Sequence, residues 1–278
     1  MPSAADLAIG VFRWLEYAGL LYVIGVFVVR RLATNTPRIE WVRPRMHNGL
    51  ALALVGGLGV VVAEAIVNGH SLSGAMAYLT RDAGWRIGRV AAEAGALALC
   101  VMGRRFVAPF TLFAAASLAF VGHAAAQGQP AGPIFADVLH VLSAGVWAGG
   151  IMALATVRPP RGWNGEEGKA LLLRFGRVAL IAFAITAMTG VLAAASVLGS
   201  ASDLWRTPYG LVLSVKSAGV LVMVVLSTLA WRRGLGLVRF EAGLAILVLA
   251  ATAALAAAPI PPLTSDEVMQ VGAANIGR

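Results

Sequence analysis

Cysteine, histidine and charge are all scarce in this chain. Its 278 residues include one cysteine and four histidines, and Asp, Glu, Lys and Arg together make up 13%. A single cysteine, Cys100, excludes an intramolecular disulfide and a CxxC metal site; lying in an apolar run, it reads as a packing residue. A soluble domain of this size carries about 25% charged residues, so the soluble class is excluded as well. No polar stretch is long enough to form a separate soluble domain. Nothing resembles a nucleotide-binding motif, so ATP-driven pumping by the chain itself is not expected. No catalytic group stands out, and the chain reads as a non-enzyme.

What is present is apolar: 59% of the residues are hydrophobic. Apolar runs of roughly 20 residues match the thickness of a bilayer's hydrocarbon core. Eight such runs occur, at approximately 7–32, 48–67, 85–103, 106–122, 134–157, 171–198, 208–231 and 240–258. They predict an all-α polytopic membrane helix bundle of about eight transmembrane helices, forming one integral membrane domain over residues 1–278. The first run has no basic n-region and carries Arg13 and Glu16, so it is expected to stay as a helix rather than be cleaved as a signal peptide. Proline and glycine mark the joints at 129–133, 158–162 and 259–262. Within the longest connection, 68–84, residues 72–79 could form a short amphipathic turn at the surface. No convincing internal repeat is visible, which speaks against an inverted-repeat transporter.

The net charge of +9 could suggest nucleic acid, but its distribution excludes that partner. Fifteen of the 22 basic residues fall in alternate loops: Arg30, Arg31, Arg38, Arg43 and Arg45; Arg104 and Arg105; Arg158, Arg161, Lys169, Arg174 and Arg177; Arg232, Arg233 and Arg239. The positive-inside rule then puts these loops in the cytoplasm and both termini outside. A nucleic-acid site would not be divided among four turns at one membrane face.

This topology gives each polar residue a depth. Glu16, Glu64, Arg86, Arg89, Glu93, His123, Asp137, His140 and Lys216 all gather in the outer half, and Glu241 is the inner exception. Each charge at depth costs at least about 2–3 kcal/mol on insertion scales, so the group is expected to line an enclosed site open to the outside. Asp137 and His140 are spaced i, i+3 and share a helix face. His123 ends the preceding run at the same side. Imidazoles suit copper, zinc, nickel or iron, and Asp137 is either a ligand or the group that orients the His140 ring. His70 and Met76 are weaker ligand candidates in the connection, and His47 reads as solvated. Glu16, Glu64, Glu93 and Lys216 are candidates for access or relay roles. Arg89 and Glu93, spaced i, i+4, suggest an ion pair on one helix, while Lys216 is expected to pair with Glu16, Glu64 or Glu93. Trp147 is expected to anchor packing beside Gly149 and Gly150.

The pattern Gly122-His123, Asp137-Val138-Leu139-His140 and Gly145-Val146-Trp147-Ala148-Gly149-Gly150 resembles the signature of the CopD copper-resistance family. The likeness continues through Arg174-Phe175-Gly176-Arg177-Val178-Ala179-Leu180, Thr189-Gly190, Thr207-Pro208-Tyr209-Gly210, Lys216, Trp231-Arg232-Arg233 and Glu241. It covers about half the chain; the first three helices match only in hydrophobicity, Glu16 and a basic first loop. The resemblance implies a bacterial inner-membrane protein with eight helices that moves copper between periplasm and cytoplasm. Members often work with CopC, a small periplasmic copper-binding protein sometimes fused to the same chain. No such segment is seen here, so a CopC-like donor would be a separate molecule.

These features together predict copper uptake, with copper captured at His123 and His140, supported by Asp137, and His70 guarding the entrance. Met188, Met223 and Cys100 offer soft atoms further inward. The rival expectation is a membrane electron carrier or metal reductase of the cytochrome b type, with one haem b between His123 and His140.

Overall fold

In the computed structural model, residues 4–69, 71–81, 83–121, 131–198, 200, 202–233 and 238–257 are described. All secondary structure among them is helical. The helices are α1 (Ala4–Ala33), α2 (Met46–Gly69), α3 (Leu72–Arg81), α4 (Gly84–Val101) and α5 (Val107–Ser117), which tightens into a 3₁₀ turn at Leu118–Val121. They are followed by α6 (Ala131–Ala144), a π turn at Gly145–Gly149, α7 (Gly150–Ala155), α8 (Glu166–Val197), the single turn α9 (Asp203–Arg206), α10 (Pro208–Arg233) and α11 (Val238–Ala257).

Each apolar run of the sequence forms a helix, with shifts at the ends that have local causes. The run expected over 85–103 stops at Val101 because Gly103, at φ +67°, adopts the left-handed conformation. Its N–H bonds the Cys100 carbonyl while Arg104 N–H bonds Leu99, the pairing that closes a helix on a glycine. In the expected turn at 129–133, helix already begins at Ala131; Pro133 lies in the first turn, where its missing N–H costs no helical bond. The run expected over 134–157 is not one continuous α-helix, since it passes through the π turn. The connection before α4 folds as α3, with Tyr78 buried and Met76 exposed.

Among the described residues, four helical stretches are long and apolar enough to cross a membrane: Asp6–Ala33, Met46–Val67, Gly132–Ala155 and Glu166–Ala195. Val107–Phe120 and Gly210–Leu226 are shorter apolar helices. The distribution of polarity is inverted relative to a soluble protein. Leu180, Ile181, Met188, Val191 and Leu192 are exposed along α8, whereas Glu16, Glu64, Arg89, Glu93 and Glu241 are buried.

α1 is the central helix, packed against α2, α5, α7, α11 and the π turn, while α6 lies along α8 and α10 along α11. Small residues allow the closest approach. A Cβ on Gly25 would overlap the backbone of Gly149, and one on Gly149 would overlap the Leu21 carbonyl, so α1 and the π turn touch backbone to backbone. At the basic end, Arg174 donates to the carbonyls of Leu32, Asn35 and Pro37 at 2.9–3.1 Å, and Trp41 Nε1 donates to Glu167 Oε2 at 2.6 Å. These bonds hold the α1–α2 connection against the start of α8.

Candidate metal centre and the buried polar network

α6 carries Asp137 and His140 on one face, and α8 supplies the partners of the histidine ring. His140 Nδ1 lies 3.0 Å from the Thr186 carbonyl oxygen and 3.0 Å from Thr189 Oγ1. A carbonyl only accepts. The Thr189 hydroxyl gives its own proton to the Ile185 carbonyl at 2.7 Å, so it too accepts from the ring. Nδ1 therefore carries the hydrogen, and in the neutral ring Nε2 keeps the lone pair. Fixing one ring nitrogen in this way leaves the other with a lone pair able to accept a hydrogen bond or a metal. Gly190 makes room for the ring, since a Cβ there would sit 3.2 Å from His140 Cε1. Ser143 Oγ, 2.7 Å from Thr186 Oγ1, joins the two helices one turn further along.

On its Nδ1 side the ring is thus held by Thr186 and Thr189 of α8. The half-buried Lys216 on α10 lies within electrostatic reach of both Asp137 and His140. The carboxylate acting on Lys216 is Asp137 rather than Glu16, Glu64 or Glu93. Lys216 is thus linked electrostatically to a carboxylate and an imidazole that both belong to α6.

His123 and His70 lie outside the described residues, as do the expected pairing of His123 with His140 and the His70 guard. Among the described residues no group of three or more His, Cys, Asp and Glu side chains is placed to hold a metal ion. Met188 is exposed on α8 and does not line the bundle centre; Met223 is buried there, and Cys100 packs against the same core. Trp147 is buried, edge-on to Phe183 with ring centroids 4.9 Å apart, and a Cβ on Gly150 would overlap the Phe175 ring.

A second polar cluster links α1, α2 and α4. Arg89 Nε lies 2.6 Å from Glu16 Oε1, with both residues buried. The expected Arg89–Glu93 pair on one helix is not formed: Arg89 turns to α1, and among the described residues neither Glu93 oxygen has a hydrogen-bond partner. Toward the α2–α3 connection, Glu64 receives Arg13 at 2.8 Å, Arg86 at 2.5 Å and the Tyr78 hydroxyl at 2.5 Å. Burial and the bond to the Glu64 carboxylate both raise the Tyr78 phenol above its usual range.

A comparison with curated proteins bears on this chemistry. Over 161 residues, 54% of the chain, it is 32% identical to the copper transport protein CutJ of Bacillus subtilis (strain 168). The chain spans 29% of the length of CutJ. No protein-family model matches the chain, and no solved structure matches it.

Beyond the likeness to CutJ, the structure gives partners to side chains to which the sequence assigned no role. Thr186 and Thr189, at i, i+3 in an otherwise apolar helix and followed by Gly190, are a legible sign of a polar partner packed there. Tyr78 had such a sign too, as the one phenol of an amphipathic segment beside Glu64.

Proposed function

We propose that this chain carries copper across the inner membrane of a bacterium, from the periplasm to the cytoplasm. The observation that carries the proposal is the fixed tautomer of His140, which leaves Nε2 with a lone pair able to accept a metal. The identity with a copper transport protein over half the chain supports copper as the cargo. The likeness to the CopD pattern supports His123 as a second ligand, with His70 at the entrance and a CopC-like periplasmic protein as donor.

In this proposal the chain is one multi-pass domain of eight spans. The basic loops face the cytoplasm and the His140 region opens outward, to be reached past Glu64, Glu16 and Glu93. Helices clad in Leu, Ile and Val, with buried Glu and Arg between them, support a lipid-embedded bundle. Copper accumulation in cells expressing the chain tests the proposal. Wild-type protein raises cell copper and His140→Ala removes that rise; accumulation unchanged by His140→Ala would overturn the assignment.

A further inference from the structure

Three ionisable side chains are sealed where α1, α2 and α4 meet, with relative exposures of 0% for Glu16, 3% for Arg89 and 0% for Glu93. Their charges do not balance. The guanidinium is committed to Glu16 through Nε at 2.6 Å and a second nitrogen at 3.5 Å. Both Glu93 oxygens are buried, with no hydrogen-bond partner among the described residues. The two carboxyl groups share a cradle over Gly57, where a Cβ would lie 2.5 Å from Glu93 Oε2 and 3.1 Å from Glu16 Oε1.

A buried carboxylate without partners is expensive, because the interior replaces none of the water it loses. One proton removes that cost. As a carboxylic acid Glu93 gains an O–H donor, and the nearest acceptor across Gly57 is the Glu16 carboxylate that Arg89 keeps in place. We propose that Glu93 is an exchangeable proton-binding site, with Glu16 the acceptor of its hydrogen bond and Arg89 the residue that holds Glu16 in position.

The surroundings supply no competing partner. α2 contributes Gly57 at this level, and its Glu64 is taken by Arg13, Arg86 and Tyr78. α5 brings only the hydroxyls of Thr111 and Ser117, each donated to a carbonyl of its own helix. α3 brings Tyr78, already bound to Glu64, and the exposed Arg81. From α1, Arg13 lies a turn beyond Glu16. Tyr17, beside Glu16, is within electrostatic reach of both Glu16 and Asp137.

This placement gives the proton a task that rests on the copper-transport reading. A copper ion near Asp137 and His140 favours the ionised cradle, so Glu93 releases its proton to bulk water as copper arrives and regains one after copper leaves. Copper and protons would then move in opposite directions.

Infrared difference spectra of the purified full chain, titrated between acid and alkaline pH, test the site without any transport. A carboxylic-acid C=O band is expected in wild type, lost in Glu93→Gln and displaced in Gly57→Ala, whose methyl group separates the carboxyls. A wild-type spectrum without that band, or one unchanged in both variants, overturns the proton site. So does a band that responds to sodium at constant pH. Proteoliposomes loaded with a pH-sensitive dye test the coupling, with complete loss of proton counter-movement expected in Glu93→Gln. Wild-type copper flux without proton movement overturns the coupling and leaves copper transport standing. No copper flux at all overturns the transport reading and the coupling with it, while the infrared band still decides the proton site.

Discussion

Arg89 bonds Glu16, 73 residues away on another helix, and not Glu93, one turn along its own. The choice ties α4 to α1 and strands a carboxyl group in the interior. A buried ion pair contributes little net stability, since desolvation offsets attraction, but removing one partner leaves an uncompensated charge. Glu16→Leu should therefore lower stability by about 3–5 kcal/mol, and so should Arg89→Leu. The double variant Glu16→Leu/Arg89→Met should recover most of the loss. Thermal unfolding in detergent checks this; a double variant as unstable as the sum of the two singles would mean that the two residues act independently and not as a pair.

The contact of α1 with the π turn predicts a sharp contrast among glycines. A methyl group on Gly25 or Gly149 would meet backbone, which cannot turn aside as a side chain can. Overpacking a core costs about 1–3 kcal/mol where side chains give way, so Gly25→Ala and Gly149→Ala should reach or exceed the top of that range. Gly10, also on α1, has nothing within 4 Å of a Cβ, and Gly10→Ala should be neutral or slightly stabilising. Size-exclusion profiles and melting temperatures of the three variants decide it; three equal melting temperatures would reject backbone contact as the cause.

The helices were legible in the sequence because burial in lipid writes itself as apolar length, and length survives without knowledge of neighbours. α3 was legible as amphipathic punctuation between longer runs. The partners of Arg89, His140 and Lys216 were not. Spacing along one helix offers Glu93 to Arg89, whereas the actual partner depends on how closely α1 passes α4. The π turn was equally hidden: it requires α1 to approach at Gly25, a fact that no local propensity carries. His140 was singled out for its place in an apolar run, but its hydrogen-bond partners came from α8, 46 and 49 residues further on.

Tyr78 latches α3 to α2 through Glu64. Tyr78→Phe keeps the buried ring and removes the hydroxyl, so it should loosen α3 by about 1.5–3 kcal/mol, the range for hydrogen bonds to charged groups. The raised phenol fixes the sign of the pH effect. Stability from this group is fully present below the unfolded tyrosine value of about 10 and is lost as pH climbs through the higher folded value. Exchange of the α3 amides, corrected for the base catalysis that speeds it at every amide and compared on either side of that range, should rise with alkalinity in wild type and stay flat in Tyr78→Phe. Exchange that rises equally in both would assign the alkaline loosening to another group.

The last prediction concerns the His140 ring. Metal binding through Nε2 needs a neutral imidazole whose Nδ1–H is held by Thr186 and Thr189, so both protons and the orienting bonds should govern copper affinity. Thr189→Val removes one acceptor, leaves the Thr186 carbonyl in place and preserves the shape of the helix. Loss of such an orienting partner weakens metal binding by about 10–100-fold, and His140→Ala should weaken it further. Wild-type affinity should fall on acidification, as protons compete for the lone pair. Copper titrations of purified protein at several pH values, run beside both variants, measure each effect. An affinity left unchanged by His140→Ala would point to thioether or carboxylate ligands and away from this histidine. An intense haem absorption spectrum in the purified protein, lost with His140→Ala, would instead assign the ring to a porphyrin iron.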